Sequence, residues 1–272
     1  MELFSDLNIM CPKAGQEDVY YKLCLQLGYR TIAFNHVIDM SQALVKNQLK
    51  LPKCNLKKCD DLQVLHRITL VCSDPSHLRA LKNPQLKKFD IIALSPKSEE
   101  LLSQSISNFP NSFQILSLDF TQKLPFRLKH THLHPCKLNN VVFEICYVSA
   151  IKDSSSCRNT VSNSKDLNWS SRGRGFIISS GAEDPLFLRG PYDVINLVTL
   201  FGIEFKSAKA AISTNCEIVF LKGLTRTQTF NGILQKNELA TIEDSIIAFP
   251  KQLILTETSE QPSLSKKLKT VL

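Results

Sequence analysis

The sequence has no C-x-x-C pair, no apolar stretch long enough to cross a bilayer, and no basic segment leading into an apolar one at its start. The first absence removes zinc-ribbon and thioredoxin-like chemistry. The nine cysteines, an odd set in a chain too large to need disulfide staples, are expected to be reduced thiols. The other two absences point away from membrane spans and secretory leaders, hence to a soluble intracellular chain with no membrane partner. Also missing are G-x-x-x-x-G-K-[ST], G-x-G-x-x-G after a strand, and G-x-S-x-G. Their absence argues against P-loop, dinucleotide-binding and nucleophile-elbow enzymes, and no cofactor is expected.

What is present suits one main α/β domain: 272 residues, 43% of them hydrophobic. Short β-branched or aromatic runs recur, most of them followed by helical periodicity. Strands are expected at Leu3 to Leu7, Thr31 to Asn35, Arg67 to Cys72, Asp90 to Leu94, Phe113 to Leu118, Val141 to Tyr147, Phe176 to Ser180 and Glu217 to Leu221. Runs such as Ile91 to Leu94 are continuously apolar, as strands covered on both faces by helices should be. The pattern favours a single TIM-like (β/α) barrel over residues 1–223, with a doubly wound open sheet as the alternative.

Val19, Leu23 and Leu27 predict one helical face, ended by Gly28. Val194, Leu197, Val198 and Phe201 predict another, begun by Pro191. Two stretches break the rhythm: a long polar connection from Asn35 to Asp61, and Phe120 to Asn140, which lacks helical periodicity. Residues 224–272 are expected to be an extension ending in a mobile tail from Glu257. Lys266, Lys267 and Lys269 in that tail offer a weak nuclear address.

The formal charge is +8, and it is uneven. Between Phe120 and Gly175 nine basic residues face only Glu144, Asp153 and Asp166. Converging cations fit a phosphate backbone better than a uniformly solvated surface does. The aromatics Phe126 and Trp169 interleave only weakly with this charge, so backbone or shape recognition is expected rather than a stacking platform.

Two readings of chemistry compete with nucleic-acid binding. Polar residues at strand ends (Asp6, Asn35, His36, Asp74, His77, Asp119 and Glu144) sit where barrel enzymes keep their active sites, so a metal-dependent phosphoesterase is one alternative. The polymerase and histidinol phosphatase barrels, however, carry His-x-His at the first strand, and Asp6-Leu7-Asn8 has no histidine. His130, His132 and His134 place three imidazoles on one side of an extended segment without an identifiable fourth ligand, and are read as part of a basic loop. Ser179 to Ala182 is either a phosphate cradle or a turn. Ser73 and Asp74 are expected to cap a helix from Pro75. The second alternative is a scaffold whose basic face binds acidic proteins.

Several segments resemble, in order, the TIM-barrel protein subunit of eukaryotic and archaeal ribonuclease P. They include Phe4-Ser5-Asp6-Leu7, Ala33-Phe34-Asn35-His36, Arg67-Ile68-Thr69, Ser73-Asp74-Pro75, Lys123-Leu124-Pro125-Phe126, Phe143-Glu144-Ile145 and Ala150-Ile151-Lys152-Asp153. Further on come Ile178-Ser179-Ser180-Gly181-Ala182, Leu188-Arg189-Gly190-Pro191-Tyr192-Asp193, Leu200-Phe201-Gly202 and Ala208-Lys209-Ala210-Ala211. Two departures stand out. Pro135 to Asn140 replaces an Ala-Ile-x-Arg-Gly segment, and Glu204 replaces a hydroxyl cap.

The resemblance implies a subunit without catalytic residues or metal, in a particle whose RNA performs the chemistry of precursor-tRNA 5′ maturation. Implied partners are ribonuclease P RNA, RNase MRP RNA, a small ferredoxin-like ribonuclease P protein, other ribonuclease P proteins and, indirectly, precursor tRNA. The implied location is the nucleus and nucleolus. Candidate RNA or subunit contacts are Arg67, Lys123, Arg127, Lys129, Lys152, Arg158, Arg189 and Arg226. For Arg189 two roles stay open: a bidentate grip on phosphate, or a loop anchor paired with Glu183 or Asp193.

Overall fold

The apolar runs form strands that are buried on both faces. In the computed structural model, which describes residues 3–13, 15–41, 61–230 and 233–234, seven parallel strands follow one another in chain order. They are β1 (Phe4–Met10), β2 (Tyr29–Asp39), β3 (Gln63–Cys72), β4 (Ile91–Pro96), β5 (Ile115–Ser117), β6 (Val142–Cys146) and β7 (Phe176–Ser179). The longest register, Thr31↔Gln63 to Asp39↔Val71, joins β2 to β3. The sheet curls until its ends meet through a parallel bridge, Ile9↔Ala182. There the Gly181 N–H donates to Asn8 O at 2.7 Å, and the Met10 N–H to Ala182 O at 2.9 Å. The open-sheet alternative is thereby set aside.

Helices cover the outside: α1 (Glu17–Leu27), α2 (Glu99–Asn108), α3 (His130–Leu138), α4 (Val148–Lys152), α5 (Ser154–Ser171), α6 (Pro191–Leu200), α7 (Phe205–Ala211) and α8 (Thr214–Gln228). Gly28 ends α1 in the left-handed region at φ 95°, as its position predicts. The buried face of α1 is Tyr20, Tyr21 and Cys24, however, and Val19 is exposed. Pro191 opens α6, whose Val194 and Val198 are buried. Asp74 precedes a 3₁₀ helix at Pro75–Lys82, but neither it nor Ser73 caps by its side chain; instead the Ser73 N–H donates to His77 Nδ1. The seven cysteines among the described residues are free thiols.

Two expectations are corrected. Glu217 to Leu221 is no eighth strand but the middle of α8. Its side chains seal the end of the barrel where strands begin: Lys222 Nζ donates to Pro110 O at 2.9 Å and Asn139 O at 2.6 Å, ahead of β5 and β6. Arg226 donates to Leu86 O, Phe89 O and Asp90 O ahead of β4. The barrel's packed elements therefore run past residue 223, to the end of α8 at Gln228. The second correction is at His130–Leu138, which is helical despite Pro135 because His132, Leu133 and Cys136 supply a buried stripe. Of the long connection, residues 42–60 lie outside the described residues, as does the tail from residue 235.

Candidate nucleic-acid interface

Strand ends converge at the far mouth of the barrel around a cavity of about 560 Å³. Asn8, Asn35, Thr69, Ser95 and Ser117 line it, with Lys97 and Lys152 among its cations. Its floor is a closed polar network. Arg67, fully buried, meets Glu144 as a two-pronged pair at 2.5 and 2.6 Å. It also donates to Leu7 O at 2.8 Å and to Thr69 Oγ1 at 3.4 Å. Thr69 donates to Asn35 Oδ1 and Asn35 Nδ2 to Asn8 Oδ1, while Ser179 donates to Glu144 Oε1 at 2.7 Å. Burial would raise the Glu144 carboxyl, but the Arg67 guanidinium and these donors hold it below the usual glutamate value.

This floor decides several expectations. Arg67 cannot reach RNA from the barrel interior; it is a corrected assignment, and its fork instead neutralises Glu144. Arg226 is likewise committed to backbone carbonyls beneath the barrel. The Ser179 to Ala182 segment, expected as a cradle or a turn, closes the seam onto β1, and its donors are spent: Ser180 N–H on Asp6 Oδ1, Gly181 N–H on Asn8 O, Ala182 N–H on Ser180 Oγ. Among the described residues no three His, Cys, Asp or Glu side chains converge as metal ligands. The helix at His130–Leu138 also separates the imidazoles. His130 and His134 stack with ring centroids 5.6 Å apart, while His132 turns inward, 3.5 Å from Glu99.

Asp6 sits in the seam between β1 and β7, with Oδ1 accepting from two backbone N–H groups and Oδ2 without a hydrogen-bond partner. Burial raises its pKa to about 6. A carboxyl raised in the folded state costs stability when ionised, here on the order of 3 kcal/mol above about pH 6, and the cost lifts as pH falls toward the unfolded value. Asp6→Asn should therefore gain melting temperature relative to the parent at about pH 7.5 and lose that advantage by about pH 4.5. Comparing the two proteins at each pH cancels the opposing histidines, since His36 and His66 are both lowered by burial. A difference in melting temperature that stays constant across this range would refute the assignment.

The remaining cations sit outside. The loop from Asp119 to Lys129 leaves β5 at the mouth and is tied to α5 by Asn159 Nδ2 on Thr121 O and Asn163 Nδ2 on Phe120 O and Gln122 O. Lys123, next to Gln122 in that loop, and Arg158, next to Asn159 on α5, are both exposed. Arg127 is exposed, and Lys129 is exposed with an ion pair to Glu99 at 3.0 Å. Lys152, at the rim, pairs with Glu183 at 3.1 Å and lies over the Phe187 ring. Arg189 anchors its loop, but on the Leu186 and Leu188 carbonyls at 2.8 and 2.9 Å rather than on Glu183 or Asp193. Lys97, which the sequence reading passed over, joins the mouth because it directly follows β4.

Known proteins place this arrangement. The family model described as RNase P subunit p30 matches residues 3–228. Ribonuclease P protein subunit p30 of Mus musculus is 34% identical over 250 residues, covering 86% of this chain and 90% of the mouse protein. Ribonuclease P/MRP protein subunit RPP1 of Saccharomyces cerevisiae is 31% identical, covering 75% of this chain and 71% of its own. Among solved structures, a chain of archaeal ribonuclease P with mature tRNA superposes with a TM-score of 0.63 at 16% identity, over 85% of this chain and 96% of that one, a likeness of fold. With the model match spanning the whole barrel, the chain belongs to the RNase P subunit p30 family.

Proposed function

We propose that this chain is a non-catalytic, RNA-binding subunit of ribonuclease P that supports 5′ maturation of precursor tRNA, and that it also serves RNase MRP in the nucleus and nucleolus. The observation that carries the proposal is the division of charge at the mouth. The interior arginine is locked onto Glu144, whereas Lys123, Arg127, Lys129, Lys152 and Arg158 stand exposed on the outer side. Such a surface neutralises phosphates and offers no nucleophile, and cleavage then falls to the RNA of the particle. The small ferredoxin-like subunit and other ribonuclease P proteins are its proposed neighbours.

Replacing Lys123, Arg127 and Lys129 together by alanine should flatten the dependence of log K on log salt by roughly two units, since fewer phosphates are neutralised and fewer counterions are released on binding. The expected readout is a titration with ribonuclease P RNA at several salt concentrations, with circular dichroism showing the fold intact. An unchanged slope would remove these residues from the interface. Purified protein that cleaves RNA after ribonuclease treatment, and stops on chelation, would overturn the accessory role.

A further inference from the structure

The chain has one tryptophan, and it stands 88% exposed at the last turn of α5. An indole this exposed presents a rigid π-face and a polar N–H to whatever docks there. Its helical neighbours three and four residues away are Lys165, Asp166, Arg172 and Gly173, polar or without a side chain, so no apolar patch continues from it along the helix. The setting is instead cationic and fixed. Arg172 closes α5 in the left-handed region at φ 54°, with its N–H reaching back to Trp169 O and the Gly173 N–H to Asn168 O. Asn168 Nδ2 donates to Gly202 O at 3.0 Å, and the Lys165 stem packs against Gly202. These contacts seat the end of α5 beside the link from α6 to α7, where Phe205 is 49% exposed and Lys206 is exposed.

Lys165, Arg172, Arg174 and Lys206 form no ion pair among the described residues, and only Asp166 and Glu204 oppose them here. Rings beside unpaired cations suit a nucleobase stacked on the indole with its phosphates on the arginines. A protein partner would call for a wider apolar centre. This surface lies where β7 begins, at the opposite end of the barrel from the mouth. We infer that Trp169, with Arg172 and Arg174, is a second RNA contact that stacks an unpaired nucleotide, extending the RNA-binding reading to the other end of the barrel.

Because Trp169 is the sole tryptophan, its emission reports the site directly. Full-length protein is titrated with a short oligouridylate, with an RNA duplex of the same length and with polyglutamate, following tryptophan emission and, with labelled RNA, anisotropy. The oligouridylate should quench the indole strongly and the other two weakly. Trp169→Ala should weaken oligouridylate binding roughly tenfold while Trp169→Phe keeps most of it. Arg172→Ala with Arg174→Ala should flatten the salt slope by about 1.4. RNA binding seen by anisotropy without quenching would overturn this contact and leave the proposed function standing. Equal quenching by polyglutamate would reassign the surface to an acidic protein. No binding of any RNA, ribonuclease P RNA included, would overturn the proposed function itself.

Discussion

Arg67→Met should lower the melting temperature by roughly 6–20 °C, because it leaves the Glu144 carboxylate buried without its cation, a loss of about 3–5 kcal/mol. Ser179 remains as a donor to Glu144, but a hydroxyl does not neutralise a charge inside the barrel. Arg67→Lys should be nearly as damaging: a single ammonium cannot reproduce the fork that meets Oε1 and Oε2 together and also holds Leu7 O. Replacing both partners, Arg67→Met with Glu144→Met, should recover much of the loss, since the desolvation cost disappears along with the attraction. Because Glu144 is held below its ordinary value, its contribution is full above about pH 4.5 and is lost as pH falls through the folded-state value. The gap between the parent and Glu144→Gln should therefore narrow on acidification. Thermal melts of the four variants decide the matter. A single variant as stable as the double one would show the pair to be dispensable. RNA affinity of the folded fraction of Arg67→Met should match the parent, which an RNA-contact role would not allow.

Much of this was legible beforehand because parallel strands covered on both faces leave an unmistakable residue pattern. The seven apolar runs from Leu3 to Ser180 became seven strands in chain order. What was not legible follows from a shared cause, short windows. Glu217 to Leu221 reads as a β-branched run when taken alone, yet Cys216, Val219, Phe220 and Gly223 are buried and Leu224 is half-buried, a spacing of three and four that only a helix produces. His130 to Leu138 was hidden by its composition, since two of its three imidazoles face water and Pro135 interrupts the pattern. Charge was harder still. Arg67 and Lys123 look alike in a sequence, and only the three-dimensional position of Glu144, 77 residues away, turns the first into an interior pair. The signal that was available, a lone arginine close to Leu65, Ile68 and Leu70, is one that an inward-facing partner explains better than solvent does. Trp169 was undervalued for the opposite reason: its exposure depends on which face of α5 the barrel takes, and Thr160, Asn163, Ser164 and Leu167 take the other.

Gly223→Ala should destabilise the protein by about 2–4 kcal/mol, or roughly 4–16 °C in melting temperature, even though alanine is the better helix former by about 1 kcal/mol. At an exposed helical site the same change would raise stability. Gly223 is buried where α8 crosses the base of the barrel, and a Cβ there would stand 2.4 Å from the carbonyl oxygen of Asp90. The obstacle is backbone just ahead of β4, so no rotamer relieves it, and α8 must move away from the barrel. That movement strains the anchors on either side, Lys222 on Pro110 O and Asn139 O, and Arg226 on Leu86 O and Asp90 O. Burial already lowers the Lys222 ammonium to about 8 and the Arg226 guanidinium to about 10, so neither can lose its carbonyl partners without a further penalty. Hydrogen exchange should therefore quicken across α8 and at the starts of β4 to β6 more than at the mouth. Exposed Lys123 and Arg158, at the opposite end, should keep the salt dependence of RNA binding unchanged at temperatures where the variant is folded. A variant that melts at or above the parent would show that α8 rests more loosely on the barrel than this contact requires.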